Sequence, residues 1–329
     1  MLRAEVIGCG IGGACAALAL AKVGARLHVY ETSVRAAQVG GWVTLGPAAS
    51  TALDQIGVGE KVRAAGFPVT GVSSVDMRTG RTKSFARTET GHRWPSTHVW
   101  RKDLLALLRE RLEEADIPCD YRTRTHPGRC TGDLLVGADG ARSTTRRILG
   151  NTTQPSYTGQ LIRYGHCPVL VPGLPTNILH FWSHPEGVAG YVGDDRDGSF
   201  WFSRRNVASA SAPVDPDTFF EPLRTTQVAQ VLEHSEVSAP IALYELEPEG
   251  IWHNAHTVLI GDAAHAVSPA AGRGATSAIE DAIVLAKAVR DAGSIAAALD
   301  CYTETRRPIA LATYRPGSNP SVSAEDLQL

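Results

Sequence analysis

The stretch Ala4-Glu5-Val6-Ile7-Gly8-Cys9-Gly10-Ile11-Gly12-Gly13 decides the fold. Residues 4–7 read as a short apolar strand. A glycine-rich turn follows, then a helix over residues 14–23 closed by Gly24, then a second strand over residues 26–30 that ends on Glu31. This is a βαβ unit of about thirty residues with a dinucleotide fingerprint at its first turn. Gly8 permits the tight turn, Gly10 lets a pyrophosphate approach the backbone, and Gly13 lets helix and strand pack closely. Ile11 and Gly12 open the helix, whose free N–H groups and positive dipole end suit phosphates. Glu31 stands where a ribose hydroxyl would be read. FAD and NAD(P) remain equal alternatives on this unit alone.

The chain has 329 residues, enough for about two domains. Lys and Arg total 32 against 34 Asp and Glu, a formal net charge of −2. That balance has no basic excess for phosphate backbones and disfavours a nucleic-acid partner. Hydrophobic content of 43% with 20% charged residues excludes a disordered or fibrous chain. The longest apolar run, residues 14–21, is far shorter than the ~20 residues of a bilayer span. Glu5 and the early glycines argue against a signal peptide. The six cysteines show no C-x-x-C spacing, and the histidines no H-E-x-x-H spacing, so neither a metal site nor a disulfide framework is expected. A cytoplasmic location is the simple reading.

Further along, Gly41 to Pro47 leads into a helix over 48–56, and residues 101–114 form an amphipathic helix on Leu104, Leu105, Leu107, Leu108 and Leu112. Residues 134–136 are a buried strand running into Asp139-Gly140. From residue 157 to 202 the pattern becomes short strands separated by turns, carrying Phe181, Trp182, Tyr191, Phe200, Trp201 and Phe202. Helix is expected over 213–232, 275–290 and 295–307, and a frayed tail from 318.

A second strand–loop–helix device lies near the end. Residues 257–260 form a strand, followed by Gly261-Asp262, Pro269, Gly272-Arg273-Gly274 and a long helix from about Ala275. Asp262 at a strand end suits a polyol hydroxyl. Gly272 and Gly274 admit a flat ring close to backbone amides, and the helix dipole would favour negative charge there.

With these motifs in order, the sequence resembles the FAD-dependent aromatic hydroxylases, the p-hydroxybenzoate hydroxylase-like group A flavoprotein monooxygenases. The resemblance covers most of the chain and is weakest over about 151–250. It implies an α/β fold: a doubly wound Rossmann-like FAD domain (residues 1–68, 97–152 and 251–329) with an inserted β-rich substrate domain (69–96 and 153–250). It further implies that Gly8, Gly10 and Gly13 hold the FAD pyrophosphate, Glu31 the adenosine ribose, and Arg101 the FAD near its phosphates. Asp139 would lie near the pyrophosphate and the NAD(P)H path, Gly261 and Asp262 at the pyrophosphate–ribityl part, and Pro269, Gly272, Gly274, Ala275 and Thr276 by the isoalloxazine. The chain departs from the family where Arg273 and Thr276 replace the usual Gln and Asn, where Thr32 follows Glu31, and where residues 101–139 leave no room for a β-hairpin.

The implied activity is an NAD(P)H-consuming monooxygenase that hydroxylates an aromatic or polyketide-like small molecule through a flavin C4a-hydroperoxide. Alternatives are a protein using FAD as scaffold, in a cyclase or sensor, and an isoprenoid epoxidase or reductase. Strand alternation puts His180 and Trp182 on one face. With Tyr191 and Trp201, and with Pro269 opposite, they are the expected pocket wall; the competing reading is that they fill the interface with the flavin domain. His180, Tyr191 and Arg273 are the candidate catalytic groups, Arg273 as a partner for negative charge. His265 reads as structural or flavin-adjacent.

Overall fold

The computed structural model describes residues 1–34, 41–86, 93–268, 272–314, 322–323 and 325–329. Three sheets organise it. The first is parallel, with strand order Thr257–Leu259, Leu134–Gly137, Arg3–Ile7, Arg26–Tyr30, Cys119–Asp120. Strand Arg3–Ile7 sits where the connections reverse direction, which is where an open α/β sheet leaves a crevice at its carboxyl edge. Helix Ile11–Lys22 covers this sheet. It carries an unbroken buried run from Gly13 to Leu20, because it is enclosed by helices Arg101–Glu114 and Gly274–Asp291 as well as by the strands.

The second sheet has eight strands, in the order Glu236–Val237, Ser156–Cys167, Gly198–Asn206, Gly187–Asp194, Ile178–His184, Gly71–Asp76, Thr82–Ala86, with Ile241–Glu245 also pairing with Ser156–Cys167. Its pairings are antiparallel except between Ile178–His184 and Gly71–Asp76. A small third sheet, Trp42–Leu45, Ser96–Trp100 and Phe67–Val69, lies between the other two.

The faces of the eight-stranded sheet differ in their cover. Trp182, Tyr191, Trp201 and Cys167 pack against Leu223, Val228, Val231 and Leu232. Residues 213–232, expected as one helix, break into three short turns, Pro216–Phe219, Glu221–Arg224 and Ala229–Leu232, whose apolar side chains cap this outer face. The opposite, inner face carries Phe200, Phe181 and Leu179 against Phe67, Trp42 and Trp100 of the third sheet. The end of the chain is anchored where described: Val322 and Leu327 are buried, and Leu329 N–H donates to Gln55 Oε1 at 3.2 Å. The expected frayed tail is corrected at those positions, because its two apolar side chains find the main core.

Two outcomes follow from these layers. Trp201 is fully buried and its indole donates to Ser235 Oγ at 2.8 Å; Trp201→Ala should cost about 3–5 kcal/mol in denaturant unfolding, and Trp201→Phe distinctly less. His98 is enclosed by Phe67, Phe200 and Trp42, and burial pushes its pKa down to about 3. Its folded value lies below the unfolded value of ~6.5, so its contribution is intact above that pH and is lost as the pH falls towards the folded value. Unfolding midpoints measured across that window should decline with acid, and His98→Gln should flatten the decline.

Candidate functional site

Three turns meet at the carboxyl edge of the parallel sheet. Gly8 adopts φ +101°, and its N–H donates to Tyr30 O at 2.8 Å. A Cβ on Gly8 would strike the Ala138 carbonyl, and one on Gly13 would strike the carbonyl of Gly8 itself. The strand Leu134–Gly137 thus brings Ala138-Asp139 directly against the phosphate loop, with Ala138 N–H donating to Ile7 O at 2.8 Å. On its other side Ile260 N–H donates to Gly137 O at 3.0 Å, which brings in Gly261. Gly12 completes the junction, since a Cβ there would lie 3.3 Å from Ala278 Cβ on the long helix. The glycine and acid turns expected to converge therefore do so.

Gly10 is different. Among the described residues, a Cβ on it would meet nothing within 4 Å, and no side chain caps the N-terminus of helix Ile11–Lys22 that follows. Open space beside uncapped amides is what a pyrophosphate needs, so the residues fit a dinucleotide. Glu31 shapes the same loop: Oε2 accepts from Cys9 N–H and Oε1 from Ser33 N–H, both at 2.7 Å. Burial works against its ionisation, but the donated N–H groups of Ser33 and Cys9 and the nearby Arg109 charge outweigh that, and its pKa lies below the ordinary value. Arg109 is 6% exposed and reaches Cys9 O at 3.4 Å; it stayed anonymous in the sequence as one polar residue within a leucine-rich helix. Arg101 opens that helix, and its buried Nε has no hydrogen-bond partner among the described residues.

Asp139 is engaged locally. Its carboxylate accepts from Ser143 Oγ, Thr144 N–H, Thr145 N–H and Thr145 Oγ1 at 2.5–3.1 Å. It sets the turn that lies against Gly8 and has little capacity left for a ligand. Asp262 is exposed and makes no described hydrogen bond, which leaves its carboxylate available.

Behind Gly261 lies a charge cluster that the sequence did not disclose. Asp281, fully buried, accepts from Gly261 N–H at 2.7 Å and Arg306 Nε at 2.7 Å, and bonds His265 Nε2 at 2.7 Å. Burial raises the Asp281 pKa, yet the His265 and Arg306 charges hold it far below the carboxylate range. Arg306 also bonds Glu280 Oε2 at 2.9 Å, and Arg273 bonds both oxygens of Glu280 at 3.0 and 3.2 Å. Arg273 is 2% exposed. Its expected role as a free positive charge beside the chemistry is corrected: Glu280 takes its charge inside the protein. His265, read as structural or flavin-adjacent, is 3% exposed and belongs to this buried cluster. Thr276 Oγ1 accepts from Gly46 N–H at 3.1 Å, tying the 41–47 segment to the long helix that Gly274 and Ala275 begin. Gly272 takes φ +61°, and a Cβ on it would meet no described residue within 4 Å. Pro269 lies outside the described residues.

The expected pocket wall is also corrected. His180 pairs directly with Tyr191, stacks near Trp182 at 5.9 Å, and lies with Trp201 on the outer face under the short helical turns. Tyr191 Oη bonds Ser199 Oγ and accepts from Val171 N–H, so it is a core hydroxyl. None of the four lies on the inner face, which meets the third sheet. The residues that do are one position away: Phe181, Phe202 and Arg204, with Tyr164 opposite Phe202 across the ladder. The Tyr164 ring lies 4.9 Å from Trp42 and against Gly41, beside the N-terminus of helix Arg101–Glu114.

Residues 121–315 match the family described as "FAD binding domain". Across 93% of this chain and 85% of that protein, the sequence is 30% identical to the aurachin C monooxygenase/isomerase of Stigmatella aurantiaca. The chain belongs to the FAD-dependent aromatic hydroxylases. As such it is a flavoprotein enzyme. The 3-hydroxybenzoate 6-hydroxylase of Klebsiella oxytoca is 27% identical, with 94% of this chain and 85% of that protein covered. Among solved structures, Klebsiella pneumoniae HpxO with FAD and uric acid superposes with a TM-score of 0.78 at 24% identity, covering 94% of this chain and 85% of that one. That likeness is one of fold. The FAD-dependent aromatic hydroxylase fold thus extends through the 151–250 region where the sequence resemblance was weakest. Gly13→Ala should leave the purified protein largely without flavin, as read by the visible absorbance of a fresh preparation, because its Cβ displaces the Gly8 carbonyl.

Proposed function

We propose that this enzyme holds FAD across the three convergent turns and hydroxylates an aromatic or polyketide-like small molecule seated against the inner face of the eight-stranded sheet. The observation that carries the reading is the meeting of the Gly8, Ala138 and Gly261 turns at one crevice, beside Gly10 with its open approach. Residues 1–68, 97–152 and 251–329 would form the flavin domain, and 69–96 with 153–250 the substrate domain.

Gly8, Gly10 and Gly13, with the uncapped amides at Ile11 and Gly12, would bind the pyrophosphate; Glu31 would read the adenosine ribose and Asp262 the ribityl chain. Arg101 would meet the nucleotide with its unpartnered Nε. Gly272, Gly274, Ala275 and the amides that follow would face the isoalloxazine. FAD, when bound, supplies hydride acceptance from NAD(P)H and activation of O2. The protein's part is positional and electrostatic. Glu280 neutralises Arg273, so stabilisation of negative charge at the ring falls to the N-terminus of helix Gly274–Asp291. The aromatic side chains Trp42, Tyr164, Phe181 and Phe202 exclude water from the reacting ring.

Purified enzyme should be yellow, and its NAD(P)H oxidation should accelerate when a suitable phenol is added, with one atom of 18O2 appearing in the product. A colourless protein that FAD does not reconstitute would end this reading. Bound FAD that neither NADH nor NADPH reduces would favour a scaffold role instead.

A further inference from the structure

Cys9 lies between Gly8 and Gly10 of the phosphate loop, and Cys119 lies on Cys119–Asp120, the edge strand of the parallel sheet. Far apart in the chain, they meet in the fold. Glu31 ties the two elements together: its own N–H donates to Asp120 O at 3.0 Å, while its carboxylate accepts from Cys9 N–H at 2.7 Å. Arg109 ties them again. It reaches Cys9 O at 3.4 Å, and its guanidinium lies 5.5 Å from the centre of the Tyr121 ring, two residues after Cys119. Within this bracket the Cys9 thiol donates a hydrogen bond to the Cys119 sulfur. Two sulfurs in such contact need only a short approach to form a bond.

The two thiols are unequal. Cys119 is partly exposed, whereas Cys9 is fully buried. Hydrogen bonds from Cys9 and from the Tyr121 hydroxyl, with the Arg109 charge, favour the Cys119 thiolate. They outweigh burial and the Glu31 charge, so the Cys119 pKa lies below the ordinary thiol value. Cys9 keeps its proton: its bond to Cys119 and its burial push its pKa far above the thiol range. A reachable thiolate beside an enclosed, protonated partner is the arrangement of an attacking and a resolving thiol.

We propose that Cys9 and Cys119 form an oxidation site, a dithiol that hydrogen peroxide converts to a disulfide clamping the phosphate loop to the edge strand. The Cys119 thiolate attacks one peroxide oxygen. The S–O bond forms, the O–O bond breaks, and the departing hydroxide takes up the proton that Cys119 released and leaves as water. Cys9 then gives up its proton and attacks the Cys119 sulfur. The S–S bond forms, the S–O bond breaks, and the second hydroxide leaves as water with the Cys9 proton. The two sulfurs together lose two electrons, and one peroxide is reduced to two waters. The site does not depend on the monooxygenase reading, since the test supplies the peroxide.

Freshly reduced holoprotein carrying Cys301→Ser, which removes an exposed thiol able to join two molecules, is treated with a few equivalents of hydrogen peroxide. It is then denatured, alkylated and mapped by mass spectrometry, with and without a reducing step. The expected result is a linked Cys9–Cys119 peptide pair, loss of two hydrogens from the intact mass, and return of both thiols with dithiothreitol. Cys15 and Cys167, both buried, should stay thiols. Cys119→Ser should leave Cys9 a thiol, because the attacking sulfur is gone. Cys9→Ser should halt Cys119 at the sulfenic acid, which dimedone labels. Cys9 and Cys119 both surviving as thiols, Cys119 oxidised while Cys9 beside it stays a thiol, or Cys9 joined to another cysteine would each overturn the assignment. If either variant fails to fold, the map of the protein with both thiols present still decides.

Discussion

Arg306 sits on the last long helix, Ile295–Tyr314, with its guanidinium between the buried carboxylates of Asp281 and Glu280 on the preceding helix. Asp281 in turn grips the Gly261 amide and His265, and Glu280 grips Arg273. Removing Glu280 would leave Arg273 buried without its counter-charge, a situation that typically costs about 3–5 kcal/mol. The cluster therefore fixes the relative position of three elements: the turn after the last strand of the parallel sheet, the start of the long helix, and the C-terminal helix. Those elements hold the flavin-ring end of the proposed site, while the Gly8 turn holds the phosphate end. The ring end is thus set by ionic contacts and the phosphate end by steric ones.

That difference explains what the sequence disclosed. The Gly8–Gly13 turn was legible because its constraint is local: two glycines five residues apart must touch, and the spacing says so. The convergence of the Asp139 and Gly261 turns followed from strand endings of the same kind. The Arg306 cluster was not legible, because its members are spread from 265 to 306 and each is an ordinary charged residue on a helical pattern. Nothing in Arg273 as a letter tells whether its side chain turns towards a ligand or towards Glu280 seven residues on.

The eight-stranded sheet was legible in its strands and not in its facing. Alternation separates Phe181 from Trp182 and Phe202 from Trp201, but period two alone does not say which set looks inward. The deciding information lay in residues 216–232. Their apolar side chains, Phe220, Leu223, Val228 and Val231, need an aromatic surface to cover, and they take the face holding Trp182 and Trp201. The remaining face is left to Phe181, Phe202 and Arg204. Arg204 and Arg205 show the same rule in polar form: adjacent in the chain, one lies between Ile162 and Val188 on the inner face and the other pairs with Glu186 and Glu221 on the outer face.

Glu31 has a consequence of another kind. Both of its oxygens are already tied to backbone amides of the loop they overlook. On the proposed function, the group that discriminates among sugars is also a rivet of the bay that receives the diphosphate. Any attempt to retune this protein towards a different adenine coenzyme by altering that one side chain would slacken the bay at the same stroke, so selectivity and grip cannot be adjusted independently at this position.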